Sequence, residues 1–153
     1  MADEAYRAVF LRVHPTGKMV LSLTTDADGR EPEYAAQVGR ELGVPALDVK
    51  VVTADTDRFG VGHGFNSSPS DGASAAIVRA TTKIRDKAQL LAAMSLDAGP
   101  ETLTWSNGAW VGGDGSDPAQ VKTVEDIALY AHGTGALPPG VEGGLDAQAV
   151  YSD

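Results

Sequence analysis

The chain has 153 residues, a formal net charge of −9, 42% apolar residues and no cysteine, which predicts one domain, short for a complete cofactor enzyme. The acidic charge argues against nucleic acid or an anionic membrane as main partner, and the missing cysteine excludes disulfides, thiolate metal sites and cysteine nucleophiles. Because the sequence has neither an apolar run of about 18 residues nor a basic-then-apolar leader, we expect a cytoplasmic protein.

The first half of the chain predicts a hairpin, a helix and a third strand. Apolar runs at 8–13 and 19–24 flank a turn and are typical of a β-hairpin. A helix follows at 32–42, because Pro32 suits its first turn and Gly43 its end. Residues 49–54 are rich in β-branched side chains and continue the sheet.

The second half begins with a long helix at 73–96. Ile77, Ile84 and Leu91 recur every seven residues with alanines between them, which indicates a thin apolar face lying close to a sheet. The cations of this helix, among them Arg79 and Lys83, are expected on its solvated face.

The remaining elements are a hairpin, a capped helix and a last strand. An Asn-Gly turn predicts a hairpin at 105–111, in which Trp105 and Trp110 pack together, followed by a loop at 112–119. Thr123 and Asp126 form a variant capping box for a helix ending near His132. A Pro/Gly-rich linker at 133–144 leads to a strand at 145–151, which needs a neighbour in this domain or on another polypeptide.

Together these elements predict a single α+β domain over residues 1–153. A mixed or antiparallel sheet is expected, covered by the two main helices at 32–42 and 73–96, because segments of period 2 and period 3.6 alternate with short connections.

The stretch GHGFNSSPSDG at 62–72 has the composition of an anion-binding loop. It is rich in glycine and hydroxyl groups and opens onto the N-terminus of the long helix, where backbone N–H groups are free. The loop itself has no cationic side chain, and Asp71 would repel an anion.

A family resemblance rests on three stretches in constant order: ELGVP at 41–45, VKVV at 49–52 and DTDRFGVG at 55–62. They resemble the molybdopterin-binding large subunit of the xanthine dehydrogenase family, in the branch of the aerobic carbon monoxide dehydrogenases. The likeness runs through most of this chain but covers a minor part of that subunit. It implies the fold of one subdomain of the molybdopterin-binding domain.

The resemblance also implies a cofactor site. In the family, glycine-rich loops hold a pterin cofactor, usually as molybdopterin cytosine dinucleotide. The family's Gly-Gln-Gly loop matches Asp28, Gly29 and Arg30 here, so the glutamine of the family is absent from this chain. The family's Ser-Arg-Ser-Thr loop matches residues 65–68, so its arginine is absent as well. The residues implied to contact the cofactor are Gly29, Gly62, Gly64, Ser67, Ser68 and Ser70. The family's catalytic glutamate lies downstream of the matched region.

Two functional hypotheses remain open. In the first, the chain is a subunit of a split molybdenum hydroxylase: it forms part of the pterin pocket, a protein partner completes the sheet and pocket, and the cofactor binds only in that complex. In the second, the cofactor is lost and His63 with Asp28 performs metal-free acid–base chemistry, as in an isomerase, hydratase or cyclase, or the chain is an interaction module. A homo-oligomer is the alternative to a separate protein partner.

Other polar groups have ordinary explanations beside functional ones. The three histidines lack metal-ligand spacing, so no metal site is predicted from them. Asp26, Asp28, Asp55 and Asp57 form short acidic clusters that suit either a carboxylate pair or solvated turns. Tyr34 fits core packing or a hydroxyl facing a pocket.

Overall fold

The computed structural model describes residues 8–24, 29–53, 72–106, 108–113, 117–133 and 143–150. These residues form β1 (Ala8–Val13), β2 (Met19–Leu23), α1 (Glu31–Leu42), β3 (Val49–Thr53), α2 (Gly72–Leu96), β4 (Thr104–Ser106), β5 (Ala109–Val111), β6 (Val121–Thr123), α3 (Val124–His132) and β7 (Asp146–Val150). Short 3-10 helices lie at Ala46–Asp48, Pro100–Thr102 and Pro118–Gln120. None of the described helices is long and apolar enough to cross a bilayer.

The main sheet has four strands in the order β3-β2-β1-β7. β1 pairs antiparallel with both β2 and β7, whereas β2 and β3 run parallel, with α1 as the connection between them. The sheet is therefore mixed, and the predicted α+β class is confirmed. The boundaries of a single domain over 1–153 stay a prediction, and most of the predicted linker at 133–144 lies outside the described residues.

The core lies on one face of this sheet. Alternate residues of β1 and β2, including Leu11 and Leu21, are fully buried there, because strand side chains alternate between faces. α2 contacts β1 and β7, and α1 contacts β3. The predicted thin face of α2 is confirmed: the buried side chains between Ile77 and Leu91 are mostly small.

A second sheet of three short strands, in the order β4-β5-β6, was not predicted. The hairpin is confirmed, and Trp105 pairs with Trp110 across it with ring centroids 4.3 Å apart. β6 adds to β5 immediately before α3. A strand of three residues is too short for alternation to identify it.

The capping box of α3 is confirmed. The backbone N–H of Asp126 donates to Oγ1 of Thr123 at 3.2 Å, and the N–H of Thr123 donates to Oδ2 of Asp126 at 3.0 Å. Two backbone donors that the helix leaves open are satisfied in this way.

The last strand pairs within the domain, on β1. The other edge of β7 carries no further strand in the described part of the chain. Two carbonyls of β7 nevertheless accept side-chain hydrogen bonds: Arg79 donates to the carbonyl of Val150 at 2.6 Å, and Lys83 donates to that of Gln148 at 2.7 Å. Both cations are exposed, as expected for the solvated face of α2, and they also donate to these backbone carbonyls. They cover backbone groups that would otherwise accept a foreign strand.

The hairpin turn of the second sheet lies against the end of α1. Gly108 has φ +83°, and a Cβ there would collide with the carbonyl oxygen of Gly43, the glycine that ends α1. Gly113 also has a positive φ, +66°, but no atom lies within 4 Å of the position of its Cβ. Of these two glycines, Gly108 alone is restricted by both conformation and space.

We expect Gly108→Ala to lower the free energy of unfolding more than Gly113→Ala. In both variants the alanine must adopt a left-handed backbone conformation, which lowers the free energy of unfolding by about 1–2 kcal/mol. In Gly108→Ala the added methyl group also overpacks against Gly43, which lowers it by about 1–3 kcal/mol more. Urea unfolding of the two variants measures the difference. Equal losses would show that the contact with Gly43 does not restrain the hairpin.

Candidate functional site

The candidate site lies at the carboxyl ends of β2 and β3. These strands are adjacent and parallel, with Leu23 paired to Thr53, so the segments that follow them leave from the same edge of the sheet. Each segment leads to a helix, α1 or α2. Carboxyl ends of parallel strands followed by helix N-termini are the usual place for ligands in open α/β sheets.

Most of the predicted site residues lie outside the described residues: Asp28, Gly62, His63, Gly64, Ser67, Ser68 and Ser70. Their roles therefore stay predictions. Gly29 is described; it has φ +82° and no atom within 4 Å of the position of a Cβ. The loop at 28–30 thus contains a left-handed glycine with open space beside it, two residues before α1 begins.

A groove of about 490 Å³ adjoins this edge, between α1 and the first turn of α2. It is lined by Arg30, Glu33, Tyr34, Ala36, Gln37, Arg40, Glu41 and Ser74. Arg30 directly follows Gly29, and Ser74 lies two residues into α2. The groove is therefore lined by residues that adjoin, in sequence, the ends of the two glycine-rich loops, at 28–30 and 62–72.

A reciprocal side-chain contact fixes the wall of the groove. Nε2 of Gln37 donates to the carbonyl of Ser74 at 2.9 Å, and Oγ of Ser74 donates to Oε1 of Gln37 at 3.1 Å. These bonds join the middle of α1 to the start of α2. They hold the residue at which the second loop enters its helix.

Tyr34 joins the core to the groove. Its side chain is 5% exposed and belongs to the hydrophobic core, as core packing requires. Its hydroxyl has no hydrogen-bond partner among the described residues, although Tyr34 lines the groove. A buried hydroxyl usually has a partner, so this oxygen is available to a polar ligand group.

Two cations line the groove. Arg30 and Arg40 line it, beside the carboxylates of Glu33 and Glu41. Glu41 lies 4.0 Å from Arg85 of α2, which partly offsets its charge. Sequence reasoning missed Gln37, Arg40 and Ser74. Polar residues at positions 30, 34, 37 and 41, spaced three or four apart, carried the signal for one helix face.

The described histidines have structural roles. His132, at the end of α3, lies 3.1 Å from the carbonyl of Val13 and can donate to it through Nε2. His14 lies 3.0 Å from the hydroxyl of Thr16 within its turn. No group of three or more potential metal ligands occurs in the described ranges. His63 and the clustered aspartates lie outside those ranges, so the prediction of no metal site stays untested.

The ion pair of Lys18 and Asp48 lies at the other end of β2. Nζ of Lys18 donates to Oδ1 of Asp48 at 2.8 Å. This hydrogen bond and the charge of the carboxylate raise the pKa of Lys18 above its ordinary value. Because Lys18 precedes β2 and the predicted loops follow β2 and β3, this pair is separated from the candidate site by the length of a strand.

These features define a ligand-binding α+β domain with a polar groove at the carboxyl edge of a parallel strand pair. The sequence matches the profile of the molybdopterin cofactor-binding domain over residues 2–153. The chain therefore belongs to that family, and the resemblance seen in the sequence is confirmed.

The relatives found by sequence are carbon monoxide dehydrogenase large chains. The chain is 34% identical over 147 residues to the carbon monoxide dehydrogenase large chain of Afipia carboxidovorans and 35% identical over 147 residues to that of Hydrogenophaga pseudoflava. Each alignment covers 92% of this chain and 17% of the relative.

The solved structures agree with this placement. The Cu,Mo-CO dehydrogenase in its carbon monoxide-reduced state superposes with a TM-score of 0.79 at 28% identity, over 95% of this chain and 18% of that one. Quinoline 2-oxidoreductase from Pseudomonas putida 86 superposes with a TM-score of 0.74 at 26% identity, over 96% and 19%. This chain thus spans less than a fifth of the length of these relatives.

We expect Ser74→Ala to loosen the start of α2 by removing one hydrogen bond to α1, at a cost of about 0.5–1.5 kcal/mol. Ser95→Ala is the matched control, because Oγ of Ser95 bonds only to the carbonyl of Ala92 in its own helix. Hydrogen exchange should accelerate in the first turn of α2 only in Ser74→Ala. Unchanged protection there would mean that the contact with Gln37 does not position the helix.

Proposed function

We propose that the chain forms one wall of a pterin-cofactor pocket in a molybdenum hydroxylase-type oxidoreductase, and that another polypeptide supplies the rest. The observation that carries this proposal is the match to a molybdopterin cofactor-binding domain along residues 2–153, combined with coverage of only 17% of the related large chains.

The groove residues suit one side of an anionic dinucleotide. Arg30 and Arg40 offer charge, and the hydroxyl of Tyr34 lacks a partner in the described part of the chain. Charge-assisted bonds from arginine to phosphate are among the strong hydrogen bonds of proteins. They can replace the arginine that is missing from the loop at 65–68.

The glycine-rich loops form the rest of this wall. Gly29, Gly62 and Gly64 allow close approach of the backbone, and Ser67, Ser68 and Ser70 donate hydrogen bonds. The cofactor is molybdopterin cytosine dinucleotide, held only in the complex and not by the isolated chain. When bound, the cofactor supplies the redox chemistry of the enzyme. The complex is proposed to act in the cytoplasm.

The residues of this chain bind and orient the cofactor and do not take part in the proton transfers of catalysis. In the related family the catalytic glutamate lies downstream of the matched region, so the partner polypeptide provides it. The named relatives act on carbon monoxide and quinoline. Neither substrate is assigned to this chain.

One observation favours a second function. Asp28 and Arg30 flank Gly29 where the family has Gly-Gln-Gly, which places a carboxylate in the altered loop. In this alternative the cofactor is lost, and His63 with Asp28 performs metal-free proton transfer in an isomerase, hydratase or cyclase. An interaction module without chemistry is the remaining form of this alternative.

We expect Ser67→Ala with Ser68→Ala to weaken pterin retention in the assembled complex. Each lost hydrogen bond costs about 1 kcal/mol, or about fivefold in affinity. Pterin and molybdenum content of the purified complex measure this loss. His63→Ala is the control and should retain the cofactor.

The alternative function predicts the reverse ranking. His63→Ala or Asp28→Asn would then lower turnover by about 10²–10⁴-fold, in a folded protein without molybdenum. If both sets of variants leave cofactor content and turnover unchanged, both assignments of the loops are wrong.

A further inference from the structure

The groove between α1 and α2 lies beside the starts of both helices. Arg30, the residue before α1, lines it together with Glu33 and Tyr34, and Ser74 contributes from the first turn of α2. N–H groups in the first turn of a helix have no partner within the helix, and the helix dipole there favours negative charge. Two helix starts beside one groove therefore favour an anionic ligand.

A buried hydroxyl is the second and independent feature of this groove. Tyr34 is 5% exposed and lines the groove, yet its hydroxyl has no hydrogen-bond partner in the part of the chain that the structure describes. Leaving a buried hydroxyl unpaired is unfavourable, and most buried polar side chains are paired. An oxygen atom of a ligand in the groove can accept a hydrogen bond from this group.

The charges along the groove leave one guanidinium without a carboxylate. Arg40 is exposed and forms no ion pair within the described ranges. The carboxylate of Glu41 lies 4.0 Å from Arg85 of α2, and Glu33 is exposed to water in the first turn of α1. Arg40 is therefore the cation that a ligand can pair with.

The size of the groove and the chemistry of arginine point to phosphate. Its volume of about 490 Å³ lies within the range of about 300–1,000 Å³ that is usual for small-molecule sites. The planar guanidinium group matches the oxygens of a phosphate and forms charge-assisted hydrogen bonds with them. A group with several phosphate oxygens can accept bonds from a guanidinium and a hydroxyl together.

A cavity at the other end of β2 has the opposite charge. Its volume is about 220 Å³, and its lining includes Asp48 and Glu125. Two carboxylates in the wall of a small cavity repel an anion. The two sites therefore provide an internal comparison for binding of an anionic probe.

We propose that the groove between α1 and α2 binds a diphosphate group, with Arg40 and the hydroxyl of Tyr34 as direct contacts. The inference deepens the proposed function, on which the identity of the natural ligand rests: the group is the diphosphate of the dinucleotide cofactor or that of a free diphosphate ester. Diphosphate is a small part of the cofactor. Weak binding of it by the isolated chain therefore agrees with retention of the whole cofactor only in the complex.

The test titrates the full chain with inorganic pyrophosphate at constant ionic strength and follows the backbone amides by NMR. Saturable shifts are expected at residues 30–41 and 72–76, which form the groove and the two helix starts. The amides of Asp48 and Glu125 should not follow the same saturation curve.

Two variants identify the contacts. Tyr34→Phe keeps the ring in the core and removes only the hydroxyl, and Arg40→Gln removes the charge. Because hydrogen bonds to charged groups are the stronger ones, each variant should weaken pyrophosphate binding at least about tenfold.

Matched controls remove the same groups elsewhere. Tyr130→Phe removes a hydroxyl from α3, and Arg12→Gln removes an exposed cation from β1. Both should bind pyrophosphate as the unchanged chain does. Circular dichroism establishes that the variants fold. If Tyr34→Phe does not fold, Arg40→Gln decides, because its side chain is exposed.

The outcomes separate the site from the proposed function. No saturable binding, shifts outside the groove, or equal affinity in variants and controls would overturn the diphosphate site. The pterin and nucleotide content of the molybdenum complex then identifies the source of the ligand. Loss of both in the two variants assigns the diphosphate to the cofactor, and unchanged content assigns it to a free ester. A native complex without molybdopterin overturns the proposed function and leaves the pyrophosphate result standing.

Discussion

The parallel pairing of β2 with β3 is the constraint on which the candidate site depends. Two neighbouring parallel strands need a crossover between them, and α1 provides it on the covered face of the sheet. As a result, the segments after Leu23 and Thr53 start side by side. An antiparallel pairing would send them to opposite ends. The groove beside α1 and the start of α2 lie at one edge of the sheet because of this single pairing.

Local signals in the sequence predicted most of the elements. Pro32 and Gly43 bounded α1, the repeat of Ile77, Ile84 and Leu91 identified α2, and Thr123 with Asp126 marked the start of α3. These features depend on residues a few positions apart, for which helix geometry is fixed. The family resemblance added the kind of ligand, which no local pattern provides.

Contacts between distant residues could not be predicted in the same way. Gln37 and Ser74 are 37 positions apart, and the contacts of Lys83 and Arg79 with β7 span 65 and 71 positions. From the sequence alone, the cations of α2 could equally contact only water or donate to a neighbouring strand. Only the position of β7 beside β1 shows that two of its cations have backbone partners. The three-residue β6 was missed because so short a segment has no measurable period.

The alanines of α2 have a consequence for how the site can change. Ala73, Ala76 and Ala80 are fully buried, so the helix approaches its neighbours with little side-chain volume between them. Protein interiors are close-packed, and an added methyl group there displaces the element that carries it. A helix moves largely as a rigid rod, so a bulkier residue at position 80 shifts Gly72 and the end of the second loop as well. The width of the groove between α1 and α2 is therefore set in part by residues that line no part of it.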